Sequence, residues 1–92
     1  MNRETVQFDL NEALIHLADL QADLRGGKMN ADDAPALAVA LGHILDHLCL
    51  AWNARDLSPQ QKAELSEEER DRMYNTIPNL HGERQLGDVA GA

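Results

Sequence analysis

Leucines recur at intervals of three or four residues early in the chain, which is the pattern of an amphipathic helix. The pattern predicts a helix over Leu10–Arg25, with Asp9 as its N-cap and Glu12 completing a capping box. Gly26 and Gly27 follow, and glycine readily takes the left-handed conformation that ends a helix. We expect the leucine side to be buried and the polar side to face water. The leucine side carries Leu10, Leu14, Leu17, Leu20 and Leu24, and the polar side carries Glu12, His16, Asp19 and Asp23.

A second helix is predicted over Ala34–Arg55, and it is apolar around almost its whole circumference. Its main apolar stripe comprises Leu37, Leu41, Ile44, Leu45, Leu48 and Trp52. A second apolar sector holds Val39, His43, His47, Leu50 and Ala54. Only Asp46 and Asn53 form a polar strip. Because a helix that is apolar on all sides is normally buried, both sectors need a partner surface.

Two short helices are predicted near residues 59–64 and 67–76. Each begins with a capping box, Ser58 with Gln61 and Ser66 with Glu69, and the second ends before Pro78. The predicted fold is therefore all-α: a small helical bundle of two main antiparallel helices plus two short C-terminal helices. We expect one domain over residues 1–78. Residues 79–92 hold three glycines and no periodic pattern, which predicts an irregular or partly disordered tail.

Charge argues against nucleic acid and membrane surfaces as partners. The formal net charge is −8, and the acidic residues are spread along both halves of the 92-residue chain. Binding of nucleic acid requires clustered Lys and Arg, and anionic lipids would be repelled. The N-terminus has no apolar signal segment, and we see no uninterrupted apolar run long enough to span a bilayer. Cys49 is the only cysteine, so no internal disulfide can form. These features predict a cytoplasmic protein.

His43 and His47 stand one turn apart on the second helix, a spacing that can hold one metal ion. The segment differs from the H-E-x-x-H zinc motif at Ile44, and it comes closer to H-x-x-E-H, with Asp46 in place of the glutamate. The candidate metal ligands are therefore His43, His47 and Asp46, and the ion would be a divalent metal such as Zn²⁺. His16, His81 or a histidine of a second copy are alternative third ligands. The competing interpretation is a half-buried histidine pair oriented by Asp46, without metal.

We predict no catalytic residues and no organic cofactor. The apolar sector of the second helix predicts a homodimer, because helix one and the short helices offer too little surface to cover it. The predicted interface comprises Val39, His43, His47, Leu50 and Ala54. The function predicted is that of a small acidic self-associating interaction or regulatory module. The alternative is a metal-binding protein or metal-dependent hydrolase that uses His43 and His47. The sequence identifies no other protein partner.

Overall fold

The computed structural model describes residues 1–29 and 33–81 of the chain, and every regular element in that part is helical. The helices are α1 (Arg3–Arg25), α2 (Ala34–Asn53), α3 (Pro59–Ala63) and α4 (Glu67–Asn75). The predicted all-α class is confirmed. Most of the predicted tail, residues 82–92, lies outside the described residues.

The first helix begins earlier than predicted, at Arg3 instead of Leu10. Its N-cap is Asn2, whose Oδ1 accepts from the backbone N–H of Thr5 at 3.1 Å. Asp9 therefore lies inside α1 and caps nothing, which corrects the predicted capping box. At the other end the helix stops at Gly26, and Gly27 has φ +71°, as the glycine pair predicts.

Local capping chemistry positions the two short helices. In both, the serine hydroxyl oxygen accepts from the backbone N–H of the third helical residue, and the side-chain oxygen of that residue accepts from the serine N–H. The pairs are Ser58 with Gln61 and Ser66 with Glu69, which confirms both predicted capping boxes. Such boxes satisfy N–H groups that a short helix would otherwise leave unpaired.

Contacts of α1 run backwards along α2: residues later in α1 contact residues earlier in α2. Near the start of α1, the Thr5 hydroxyl donates to the Leu57 carbonyl at 2.6 Å. One turn on, Asp9 contacts His47, and farther along, the His16 ring lies beside that of His43. The start of α1 thus lies against the end of α2.

The buried side of α1 differs from the one predicted. The residues of α1 that are buried are Thr5, Asp9, Ala13 and Leu20, whereas Leu10, Leu14, Leu17 and Leu24 are exposed. On α2 the buried residues are Cys49, Leu50 and Ala51, joined by Ala54 just beyond its end. The small alanines allow the helix backbones to approach closely, and every buried polar side chain among the described residues has a hydrogen-bond partner. The prediction that the leucine stripe forms the core of one chain is wrong, except at Leu20.

The second helix has the length and composition of a segment that could cross a membrane. Ala34–Asn53 spans 20 residues with a mean hydropathy of 1.5. Core helices of soluble proteins and signal sequences meet the same criteria, so this is weak support for a membrane span. The cytoplasmic location stays a prediction.

Candidate functional site

A fully buried carboxylate lies at the centre of the contact between α1, α2 and α3. Asp9 has no exposed surface. Its Oδ2 accepts from Lys62 Nζ at 2.7 Å, and its Oδ1 accepts from His47 Nδ1 at 3.1 Å. A buried charge needs such partners, because its desolvation is otherwise costly. Asp9 therefore ties three helices together and orients the His47 ring.

Three histidine rings lie near one another at this helix contact. The His16 ring centroid is 5.6 Å from that of His43 and 5.4 Å from that of His47, with interplanar angles of 20° and 18°. His16 was predicted to point away from the core. It reaches α2 because α1 turns its polar side, not its leucine side, toward that helix.

Glu12, His16 and His47 bring three potential metal-ligand atoms into one place. One ring nitrogen or carboxylate oxygen from each lies within 4.8 Å of the other two, and all three residues are half-buried. Glu12 and His16 are one turn apart on α1, a spacing that puts both on the same side of a helix. With His47 Nδ1 engaged by Asp9, Nε2 is the ring nitrogen left to bind a metal.

The structure separates the three ligands predicted from the sequence. His47 belongs to the group with Glu12 and His16, while His43 is exposed and its ring stacks on that of His16. Asp46, half-buried, is not a member of this group within the part of the chain that the structure describes. The acidic ligand at the cluster comes instead from α1.

The predicted interface residues are also divided. Val39 is 64% exposed and His43 is exposed, so both are available to a partner. Leu50 and Ala54 are 2% and 0% exposed within one chain, which leaves them no surface for a second copy. They are buried because α1 and the segment after α2 already cover this side of the helix. His47 is half-buried against Asp9.

A cavity of about 370 Å³ opens beside the buried carboxylate. Its polar wall includes Thr5, Asp9, His47 and Lys62, and Tyr74 of α4 is part of its lining. Lys62 Nζ also lies 4.5 Å from the Phe8 ring centroid, within the range of a cation–π contact. Asp9 already bonds Lys62 and His47, and Thr5 bonds the Leu57 carbonyl, which makes the cavity part of the structural junction around Asp9.

An apolar surface, the leucine face, covers the other side of the α1–α2 pair. Its residues are Leu10, Leu14, Leu17 and Leu24 of α1 and Leu41, Leu45 and Leu48 of α2, each between 42% and 64% exposed. Asp9 and His47 mark the sides on which α1 and α2 face each other. At about 100° per residue around the helix axis, the α1 leucines lie ~60–140° from Asp9. The α2 leucines lie ~100–160° from His47, in the same rotational sense along the chain. Because later residues of α1 contact earlier residues of α2, rotation in the same sense on each helix brings both groups of leucines to one side of the helix pair.

The short helices occupy the opposite side. Asn53 lies about 120° from His47 in the other rotational sense, and its Nδ2 donates to the carbonyls of Met73 and Thr76 at 2.8 Å each. These two bonds attach α4 and the residue that follows it to the end of α2. The nearby Arg55 guanidinium stacks 4.1 Å above the Trp52 ring. Of the predicted polar strip, Asn53 therefore holds α4 in place.

Cys49 has the properties of a structural thiol. It is 1% exposed, and burial raises its pKa, with a further increase from the nearby Asp46 carboxylate. Because the thiolate is the reactive form, a raised pKa lowers the reactivity of this cysteine.

Sequence reasoning missed Asp9, Glu12 and Lys62 as members of the polar cluster. Asp9 and Glu12 were interpreted as a capping box, and Lys62 lies more than fifty residues away in the chain. One signal was present: Glu12 with His16 and His43 with His47 are both one-turn pairs of metal-ligating residues on adjacent helices.

No protein-family model, curated protein or solved structure matches this chain.

Proposed function

We propose that this protein is a small self-associating helical module in which two copies join through the leucine face. The observation that supports this is the grouping of seven half-exposed leucines on one side of the α1–α2 pair. Water-soluble monomers rarely leave a contiguous apolar patch of this kind uncovered. The proposal keeps the homodimer predicted from the sequence and moves its interface away from the sector around Val39 and His43.

The spacing of the leucines suits helix-to-helix packing with a second copy. Leu10, Leu14 and Leu17 are separated by four and three residues, and Leu41, Leu45 and Leu48 repeat the same intervals. Alternation of three and four is the heptad spacing that lets side chains interlock between helices in coiled coils and four-helix bundles. Two copies joined on this face would form a four-helix bundle, with α3 and α4 on its outer sides.

The size of the leucine face suits a stable dimer. A helix of 20 residues is ~30 Å long at 1.5 Å per residue, and two helix axes 8–10 Å apart present a surface roughly 20 Å wide. The resulting footprint of about 600 Å² approaches the ~800 Å² per partner of a typical stable interface. Burying the exposed half of seven leucines in each copy contributes roughly 10–20 kcal/mol. That gain is similar to or larger than the ~4–15 kcal/mol cost of association.

Charge favours a second copy over a lipid bilayer as the occupant of this face. Helices that lie on membranes carry Lys and Arg around their apolar side. Here the chain has a net charge of −8, and Asp19 and Asp23 are among the acidic residues of α1.

Sedimentation equilibrium at micromolar concentration tests the proposal, with the wild type expected at twice the 10.2 kDa chain mass. In Leu14→Glu/Leu45→Glu, a charge enters each half of the leucine face, and we expect a monomer with unchanged helix content by circular dichroism. The matched control is Ile15→Glu, an exposed apolar residue (53%) of the same helix that lies off the face. It should remain dimeric.

Two results would overturn the proposal. A wild type that stays monomeric throughout the micromolar range excludes this dimer, and flotation with neutral lipid vesicles would then reveal whether a bilayer takes the face. Alternatively, dissociation by Val39→Glu but not by the leucine variant would place the interface on the sector predicted from the sequence. Val39 is as exposed as Leu14, so the two substitutions are closely matched.

A further inference from the structure

We infer that Glu12, His16 and His47 form a Zn²⁺ site between α1 and α2, with Asp9 supporting it from behind. This site lies on the opposite side of α1 from Leu10 and Leu14 and does not depend on self-association. It differs from the set predicted from the sequence, because its carboxylate comes from Glu12 and not from Asp46.

The ligand types suit zinc. Two histidines and one glutamate, with a water in the fourth position, form a known tetrahedral zinc arrangement. The three ligand atoms lie within 4.8 Å of one another. Bonds of 2.0–2.2 Å in a tetrahedron require ligand atoms about 3.4 Å apart, so side-chain rotation must shorten these separations by at most ~1.4 Å. Glu12 and His16 are only half-buried, so neither side chain is enclosed in the core.

Asp9 gives the cluster a feature that a chance grouping of polar residues lacks. Histidines that bind metals commonly donate their second ring N–H to a carboxylate, which orients the ring and increases the basicity of the ligating nitrogen. The 3.1 Å bond from His47 Nδ1 to Asp9 Oδ1 is such a contact. Asp9 is itself fixed by the 2.7 Å bond from Lys62 and is fully buried. The His47 ring is thus oriented before any ion arrives.

Charge at the site also favours a cation. Glu12 contributes one negative charge directly, whereas the charge of Asp9 behind His47 is balanced by Lys62. The overall charge of −8 attracts divalent cations to the protein surface.

Calorimetric titration of the full chain with Zn²⁺ tests the site, after chelator treatment and without a histidine tag. We expect one ion per chain, and Co²⁺ in its place should give the intense visible absorption of tetrahedral coordination. Glu12→Gln and His16→Gln should each weaken Zn²⁺ binding by at least ~100-fold. Loss of a residue that only supports a ligand typically weakens metal binding by ~10–100-fold, and loss of a ligand itself should cost at least as much. His81→Gln, at an exposed histidine away from the cluster, is the matched control and should bind as the wild type does.

Further variants separate this site from the alternatives. Asp46→Asn should leave the affinity unchanged, and Leu14→Glu/Leu45→Glu should still bind one ion per chain. Within the described part of the chain, the side chains of Glu12 and His16 form no hydrogen bond that holds the fold together. Their variants should therefore keep the wild-type circular dichroism spectrum. The inference is overturned by absence of Zn²⁺ binding, by one ion per two chains, or by loss of binding in Asp46→Asn but not in Glu12→Gln.

Discussion

The buried carboxylate of Asp9 provides the most direct test of the arrangement of α1, α2 and α3. In Asp9→Asn the side chain keeps its shape and loses its charge. The amide oxygen can still accept from His47, but the amide N–H₂ then faces the Lys62 ammonium 2.7 Å away, donor against donor. The substitution therefore leaves a positive charge without its partner in a largely buried position.

The expected loss follows from the burial of the three groups. Removing one partner of a buried ion pair typically costs ~3–5 kcal/mol. Asp9 is 0% exposed, but the side chains of Lys62 and His47 are 17% and 19% exposed, so water can offset part of the loss. We expect about 3 kcal/mol, at the lower end of that range. For a domain of this size that corresponds to a fall in Tm of roughly 12–24 °C.

Urea denaturation followed by circular dichroism measures the loss, with Asp19→Asn as the matched control. Asp19 is an exposed aspartate of the same helix, and its substitution should change the free energy of unfolding by less than ~0.5 kcal/mol. The double variant Asp9→Asn/Lys62→Met removes both charges and should be less destabilised than the sum of the two single variants. If Asp9→Asn and Asp19→Asn unfold at the same urea concentration, Asp9 is not the buried junction described above.

Three further predictions concern the end of α2, the thiol and the last helix. Asn53→Ala removes two hydrogen bonds to α4 and should cost ~1–3 kcal/mol and speed proteolysis of that helix, whereas Asn75→Ala, which removes a bond within α4 itself, should do neither. Cys49 should react with a thiol reagent at least ~10-fold more slowly in the folded protein than in urea, because burial raises its pKa and blocks access; equal rates would contradict its burial. Hydrogen bonds from the Ser66 hydroxyl and N–H lower the pKa of Glu69 below its ordinary range. Its stabilising effect is therefore present above that range and is lost as the pH falls through the lowered pKa. Glu69→Gln should flatten this part of the stability–pH profile, and parallel profiles would count against the capping contact.

Local sequence determined where most helices begin and end. Capping boxes and glycine stops act within a few residues, so Ser58, Ser66 and Gly26 could be assigned from the sequence pattern alone. The start of α1 was missed because Asp9 and Glu12 also fit the capping pattern. Asn2, the cap in the structure, offers the same chemistry seven residues earlier.

Tertiary structure decided which side of each helix is inside. A helical wheel groups Leu10, Leu14 and Leu17 on one side, but that side can pack within the chain or against a second copy. The polar side of α1 faces inward because Asp9 bonds Lys62 and His47. Both partners are far from Asp9 in the chain, so no local sequence pattern links them to it. The same contact carries Glu12 and His16 toward His47 and leaves the leucines outside. The candidate metal site and the leucine face thus both result from the way α1 packs on α2. That packing is determined by contacts between residues far apart in the chain.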